Sequence, residues 1–195
     1  MEQIERIKSK LKALKKADKT RSVFGAEKHK YRLNARLSEK SIQRFEKELK
    51  IQLPTGYRDF LKEVGNGGAG PYYGLEPLQN GRYADLHHKD SNDLIRPDLP
   101  FPFTDAWNLT EAEFTVENEE EYFNPKWVNG LLRISDYGCG TSLNLVVTGA
   151  EYGNIWMDSR VNDGGIFPDP FFSPSARINF LDWYEVWLDE SLKEV

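Results

Sequence analysis

Apolar residues recur along the chain at two spacings, and each spacing predicts an element. Ile4, Ile7, Leu11 and Leu14 fall on one face of a helix, with Lys8, Lys10, Lys12, Lys15 and Lys16 around the rest. Ser38 is a natural N-cap for a second helix that carries Ile42, Phe45 and Leu49 on one side. Ile51-Gln52-Leu53 leads into a third, where Tyr57, Phe60, Leu61 and Val64 share a face, Pro54 pre-sets the first turn and Gly65 ends it. Near the end of the chain Phe180, Trp183, Tyr184, Trp187 and Leu188 return to helical spacing behind Asn179, with Asp182 completing a capping-box-like start. Between these helices the runs shorten. Residues 131–134, 143–147 and 155–158 are brief apolar stretches separated by glycine-containing turns, which predicts an antiparallel meander over residues 131–158. Residues 17–37 have few apolar anchors and read as a linker.

The stretch Asn66-Gly67-Gly68-Ala69-Gly70 needs separate treatment, because Gly65, Gly67 and Gly70 spell G-x-G-x-x-G. That fingerprint binds a pyrophosphate only when a strand delivers the glycines to the start of a helix, where free N–H groups face the ligand. Here a helix precedes the glycines and Pro71-Tyr72-Tyr73-Gly74-Leu75 after them reads as a strand, so the loop meets carbonyl ends. A helix-to-strand turn is expected, with no cofactor.

Composition narrows the class. A chain of 195 residues with 39% hydrophobic and 13% aromatic content has enough apolar surface for one good core. No apolar run reaches the length of a membrane span, and charges occupy the place where a signal peptide has its apolar centre, so a cytoplasmic protein is expected. A single cysteine, Cys139, agrees with a reducing compartment. Net charge is only -5, yet residues 1–50 hold 16 Lys and Arg against 7 Asp and Glu, while residues 51–195 hold 10 against 24. A basic helix therefore accompanies an acidic body, and such a body repels nucleic acid and attracts basic partners.

Three patterns invite a chemical reading. His87 and His88 are adjacent, but neighbours on a strand point apart and no Cys or His cluster with ligand spacing completes a metal site. Gly138 and Gly140 flank Cys139, but an activated thiol needs a base held against it, and the sequence places none of His29, His87 or His88 there. Glu111, Glu113, Glu117, Glu119, Glu120 and Glu121 make residues 111–121 the densest acidic stretch, readable as a solvated flank or as a partner-facing patch. No catalytic, cofactor-binding or metal residue is assigned, and no enzyme is expected.

Taken together, the helix leading into LPTGYRDFL, the NGGAG turn, the segment LLRISDYGCGTSLNLVVTG, the strand NIWMD and the closing FLDWYEVWLDESL resemble the SUKH superfamily, the Smi/Knr-type domain, over roughly residues 38–192. The resemblance implies an α+β fold, a twisted and mostly antiparallel sheet packed by helices. It divides the chain into residues 1–37, a basic helix and linker, and residues 38–195, the domain. It implies a non-enzymatic immunity protein that neutralises a cognate bacterial toxin of nuclease or deaminase type. The alternative is an intracellular scaffold or regulatory module for another protein partner. The partner surface is expected at Glu117, Glu119, Glu120, Glu121 and Asp163, facing a basic protein, with no nucleic acid or membrane involved.

Overall fold

The computed structural model describes residues 2–86, 94–110, 113, 115, 118–170 and 177–195. Among them are six α-helices: α1 (Glu2–Ala17), α2 (Ala26–His29), α3 (Glu39–Leu49), α4 (Thr55–Glu63), α5 (Glu119–Tyr122) and α6 (Phe180–Lys193). Four strands, β1 (Leu131–Gly138), β2 (Thr141–Val146), β3 (Ile155–Asp158) and β4 (Ile166–Pro168), form one antiparallel sheet in chain order. This is the expected α+β architecture. None of the described helices is long and apolar enough to cross a membrane.

The helix ends follow from their caps. The Ser38 hydroxyl accepts from the Ser41 amide at 3.1 Å, and the Asn179 side chain accepts from the Asp182 amide at 3.1 Å. Each satisfies a donor that the first turn of a helix leaves unpaired. The sheet explains why its strands read as unbroken apolar runs: both faces are covered. Leu132, Ile134, Leu143, Leu145, Ile155 and Met157 point into a large core shared with α1, α4 and α6. Their neighbours Leu131, Val146, Trp156 and Ile166 point the other way, under Ile95, Phe101 and Val128 from the loops. Successive residues of a strand alternate faces, so Arg133, Ser142, Asn144 and Asp158 fall on this second, loop-covered face as well.

The aromatic stripe of α6 seals the first face. Phe180, Trp183 and Tyr184 are essentially inaccessible, with Phe60 of α4 edge-on to both Phe180 and Tyr184. The Trp183 indole donates to Asp169 at 2.7 Å and the Tyr184 hydroxyl to the Ala69 carbonyl at 2.8 Å, which ties α6 to the glycine turn. In that turn Gly68 has φ +100°, exchanges hydrogen bonds with Leu75, and lies so close to the preceding chain that an added Cβ would sit 2.3 Å from the Arg32 carbonyl oxygen. The strand expected over residues 71–75 is reduced to a single position. The chain turns at residues 71–73, Tyr72 takes φ +57°, and only Leu75 pairs, with Gly68 and Ser135. β4 was not expected; it is three residues long and ends in proline, too short for a periodic signal.

Residues 1–37 pack onto this body. Ile4, Ile7, Leu11 and Leu14 are buried in the main core, and the basic side of α1 meets the acidic side of α6. Glu185 accepts from Arg6 Nε at 2.8 Å, Arg6 Nη2 at 3.0 Å, Lys10 Nζ at 2.9 Å and Gln3 at 3.1 Å. Beyond α1, Val23, Ala26 and Tyr31 are also buried. They are organised by the Asp18 carboxylate, which takes the Ser22 amide at 2.8 Å, the Val23 amide at 3.2 Å and the Tyr31 hydroxyl at 2.5 Å. One polar side chain does here what the missing apolar anchors would do.

These groups make the fold acid-sensitive. Hydrogen bonds from Arg6 lower the Glu185 pKa to about 2, and the donors around Asp18 outweigh its burial and bring it to about 2. Both carboxylates contribute stability that is complete above their unfolded values, 4.5 and 3.8, and is lost as pH falls toward 2. Burial lowers the His29 pKa from 6.5 to about 4, so the unfolded chain binds a proton that the folded one refuses between those values. The urea midpoint should therefore fall as pH drops below 6.5 and fall further below 4.5. His29→Asn, which keeps an acceptor for the Tyr31 amide, should flatten the upper part of that profile, and Glu185→Gln the lower part. A profile level from pH 7 to 3 would contradict this assignment. Gly68→Val should cost at least about 2 kcal/mol in urea denaturation, from backbone strain and overpacking together.

Candidate functional site

The polar half of the loop-covered sheet face floors a cleft of about 340 Å³. Its floor holds Arg133 from β1, Ser142 from β2, and Asp158 and Arg160 from the end of β3 and the turn after it. Leu86, Phe123, Pro125, Val128 and Val161 form apolar walls. At Asp158 two guanidinium groups meet one carboxylate. Arg160 binds it bidentately, Nε to Oδ1 and Nη2 to Oδ2 at 2.9 Å each, and Arg133 Nη1 reaches Oδ2 at 2.9 Å. All three side chains are only 6–7% exposed. Burial alone would raise the Asp158 pKa, but the two cations outweigh it and hold the group ionised, far below the usual carboxylate range.

The rest of each guanidinium ties the cluster to its surroundings. Arg133 Nε donates to the Ala84 carbonyl at 2.9 Å, and its Nη1 also donates to Ser142 Oγ at 2.6 Å and Asn144 Oδ1 at 3.1 Å. Arg160 Nη1 donates to the Tyr122 carbonyl at 2.9 Å, crossing to the end of α5. This link positions the rim of the cleft. Tyr122 donates its hydroxyl to Asn108 at 2.6 Å, and Asn108 donates in turn to the Asp163 carbonyl at 2.7 Å.

The relay brings together residues that lie far apart in sequence. Glu119, Glu120 and Glu121 are exposed on α5, and Asp163 is exposed with φ +57° just after the helical turn Arg160–Asn162. Among them Glu121 pairs with Lys126. Glu117 lies outside the described residues, as do His87, His88 and Glu111. Cys139 is exposed in the β1–β2 turn, where its carbonyl accepts from Asn162 at 2.9 Å, whereas His29 is buried against Tyr31 and Trp187. A second, shallower depression of about 400 Å³, lined by Phe24, Tyr73, Tyr137, Cys139 and Asn162, shares Thr141 with the first. Of the large apolar side chains that stand exposed among the described residues, Phe24, Phe123 and Val161 border these two depressions. Pattern reading missed Arg133, Asp158, Arg160, Phe123 and Val161. The available signal was a charge inside the apolar run at residues 131–134 and the Asp158–Arg160 spacing at a strand end.

The geometry places a polar-floored cleft with apolar walls on a small α+β domain, and comparison with known proteins assigns the domain. The model of the SMI1 / KNR4 family (SUKH-1) matches residues 36–170, more than half of the chain, and the protein belongs to that family. No curated protein and no solved structure shows a significant match.

Breaking the charge cluster should be costly. Asp158→Asn leaves two buried guanidinium groups without their counter-charge and should destabilise the fold by about 3–5 kcal/mol, read as a lowered urea midpoint at unchanged slope. A loss below about 1 kcal/mol would mean that the cluster does not hold the face together.

Proposed function

We propose that this SUKH-family chain is a non-enzymatic immunity protein that occupies a cognate bacterial toxin of nuclease or deaminase type in the cytoplasm. In this reading residues 38–195 are the binding domain and residues 1–37 brace it. One observation carries the proposal: Phe123 and Val161, exposed and lining the cleft, are flanked in the chain by the exposed acids Glu119, Glu120, Glu121 and Asp163, which we take as an acidic rim. Apolar anchors ringed by charge are how protein interfaces combine affinity with steering. Enzymes that act on nucleic acid carry basic surfaces to meet phosphates, so an acidic rim is complementary to that class of toxin. Glu117 belongs to the same acidic stretch and is assigned to the rim with them.

The test looks for a toxin domain in the open reading frame next to this gene and uses that domain as the probe. The chain, co-expressed with that domain, should restore growth and co-purify with it. Reversing Glu117, Glu119, Glu120, Glu121 and Asp163 to lysine should slow association by at least about tenfold at low ionic strength and flatten its salt dependence, measured by stopped-flow or surface plasmon resonance. An association rate indifferent to the reversal would move the interface elsewhere. Capture of an unrelated host protein with no effect on toxicity would favour a scaffold.

A further inference from the structure

Arg133 has one nitrogen to spare. Its Nε and Nη1 are used within the fold, but Nη2 makes no hydrogen bond to any described residue, although the side chain is 94% buried and lines the cleft floor. The cluster beneath it carries two cations and one anion, and Asp85 and Asp136 also line the cleft. The other acids of the cleft are already engaged: Asp136 pairs with Lys28 at 3.5 Å and accepts from the Gly138 amide at 2.8 Å, and Asp85 is not free either. A desolvated guanidinium with an open N–H donor is a receptor for an anionic acceptor, and such charge-assisted bonds are the stronger kind.

We infer that the cleft is a carboxylate receptor, in which Arg133 Nη2 binds a carboxylate carried on a short aliphatic stem. The walls choose the stem. Leu86, Phe123, Pro125, Val128 and Val161 are apolar and suit methylene groups, whereas an anion that is polar on all sides, such as phosphate, would lose hydration against them without replacement. The volume, about 340 Å³, is at the small end for ligand sites and suits one side chain or one small acid. Two sources share this chemistry: a glutamate or aspartate side chain of the bound toxin, or a free dicarboxylic acid. The inference deepens the proposed function, since a toxin carboxylate inserted here would read the partner's identity while the acidic rim attracts its basic surface. It rests on that reading only for the source of the carboxylate.

The test is a titration of the isotopically labelled full-length chain, alone, followed by amide and Arg Nε–H chemical shifts. The probes are glutarate, its neutral counterpart glutaramide, inorganic phosphate, and glutamate blocked at both its amino and carboxyl termini. Glutarate should shift the resonances of Arg133, Ser142 and Arg160 saturably, while glutaramide and phosphate should not. Arg133→Lys should weaken glutarate by about tenfold or more, the value of a charge-assisted hydrogen bond. Because that variant disturbs a buried cluster, Val161→Trp provides the second arm. It fills the mouth from an exposed position and should abolish the shifts at unchanged melting temperature. Tighter binding of the blocked glutamate than of glutarate identifies a protein side chain as the occupant, and the reverse order identifies a free acid. Equal shifts from glutarate and glutaramide, or glutarate shifts confined to the lysines of α1, would overturn the inference. Glutarate binding in a chain that captures no toxin would uphold the receptor and remove the immunity reading.

Discussion

A single carboxylate, Asp158, held between the guanidinium groups of Arg133 and Arg160, organises the face that carries the cleft. Through Arg133 it joins β3 to β1 and to the carbonyl of Ala84, and through Arg160 it reaches the end of α5. A buried ionic cluster of this kind is a poor source of stability, since an apolar trio of the same volume avoids the desolvation of three charges. What it supplies is geometry. The acidic turn, Asn108 and the Asp163 loop are all positioned by bonds that begin at this cluster, and the apolar residues at the mouth stand on the same segments.

The uneven charge of the sequence divides into two parts with different fates. Part is consumed inside the molecule, where Arg6 and Lys10 of α1 close on Glu185 and Asp189 of α6. The basic helix is thus a brace paired in part with the domain it covers, along a seam to which α1 contributes aliphatic side chains, while Lys12, Lys15 and Lys16 stay exposed. The other part stays outside: Glu119, Glu120 and Asp163 point to solvent beside the cleft. The outward-facing acid is therefore the part of the imbalance that the proposed basic partner would meet.

The four longer helices were legible because each carries a full apolar stripe, capped by a side chain at Ser38 and Asn179, and local chemistry of that sort survives folding unchanged, whereas α2 and α5, four residues each, are too short to show one. The meander was legible from its apolar runs between glycine-containing turns, while β4 and residues 71–75 were not. One is only three residues long, and the other presents an apolar spacing that Tyr72, at φ +57°, does not use as a strand. The resemblance to the SUKH superfamily was visible from the order of the segments, and the family match over residues 36–170 places the chain there. The acidic stretch could be seen in composition. The cleft could not, because its floor is assembled by sheet register from residues 25 positions apart, and its wall by a bond from Arg160 back to Tyr122. Residues 18–37 misled for a related reason: Asp18 replaces apolar anchoring with hydrogen bonds, which hydrophobic periodicity does not record.

The central claim is that the protein meets its partner through the face around Asp158. Hydrogen exchange of the chain with and without the proposed toxin partner tests this most directly. The account predicts new protection concentrated in residues 119–125, 131–136 and 158–163, with α1 unchanged. Protection confined to α1 and the exposed side of α3, with the cleft exchanging as in the free protein, would contradict it.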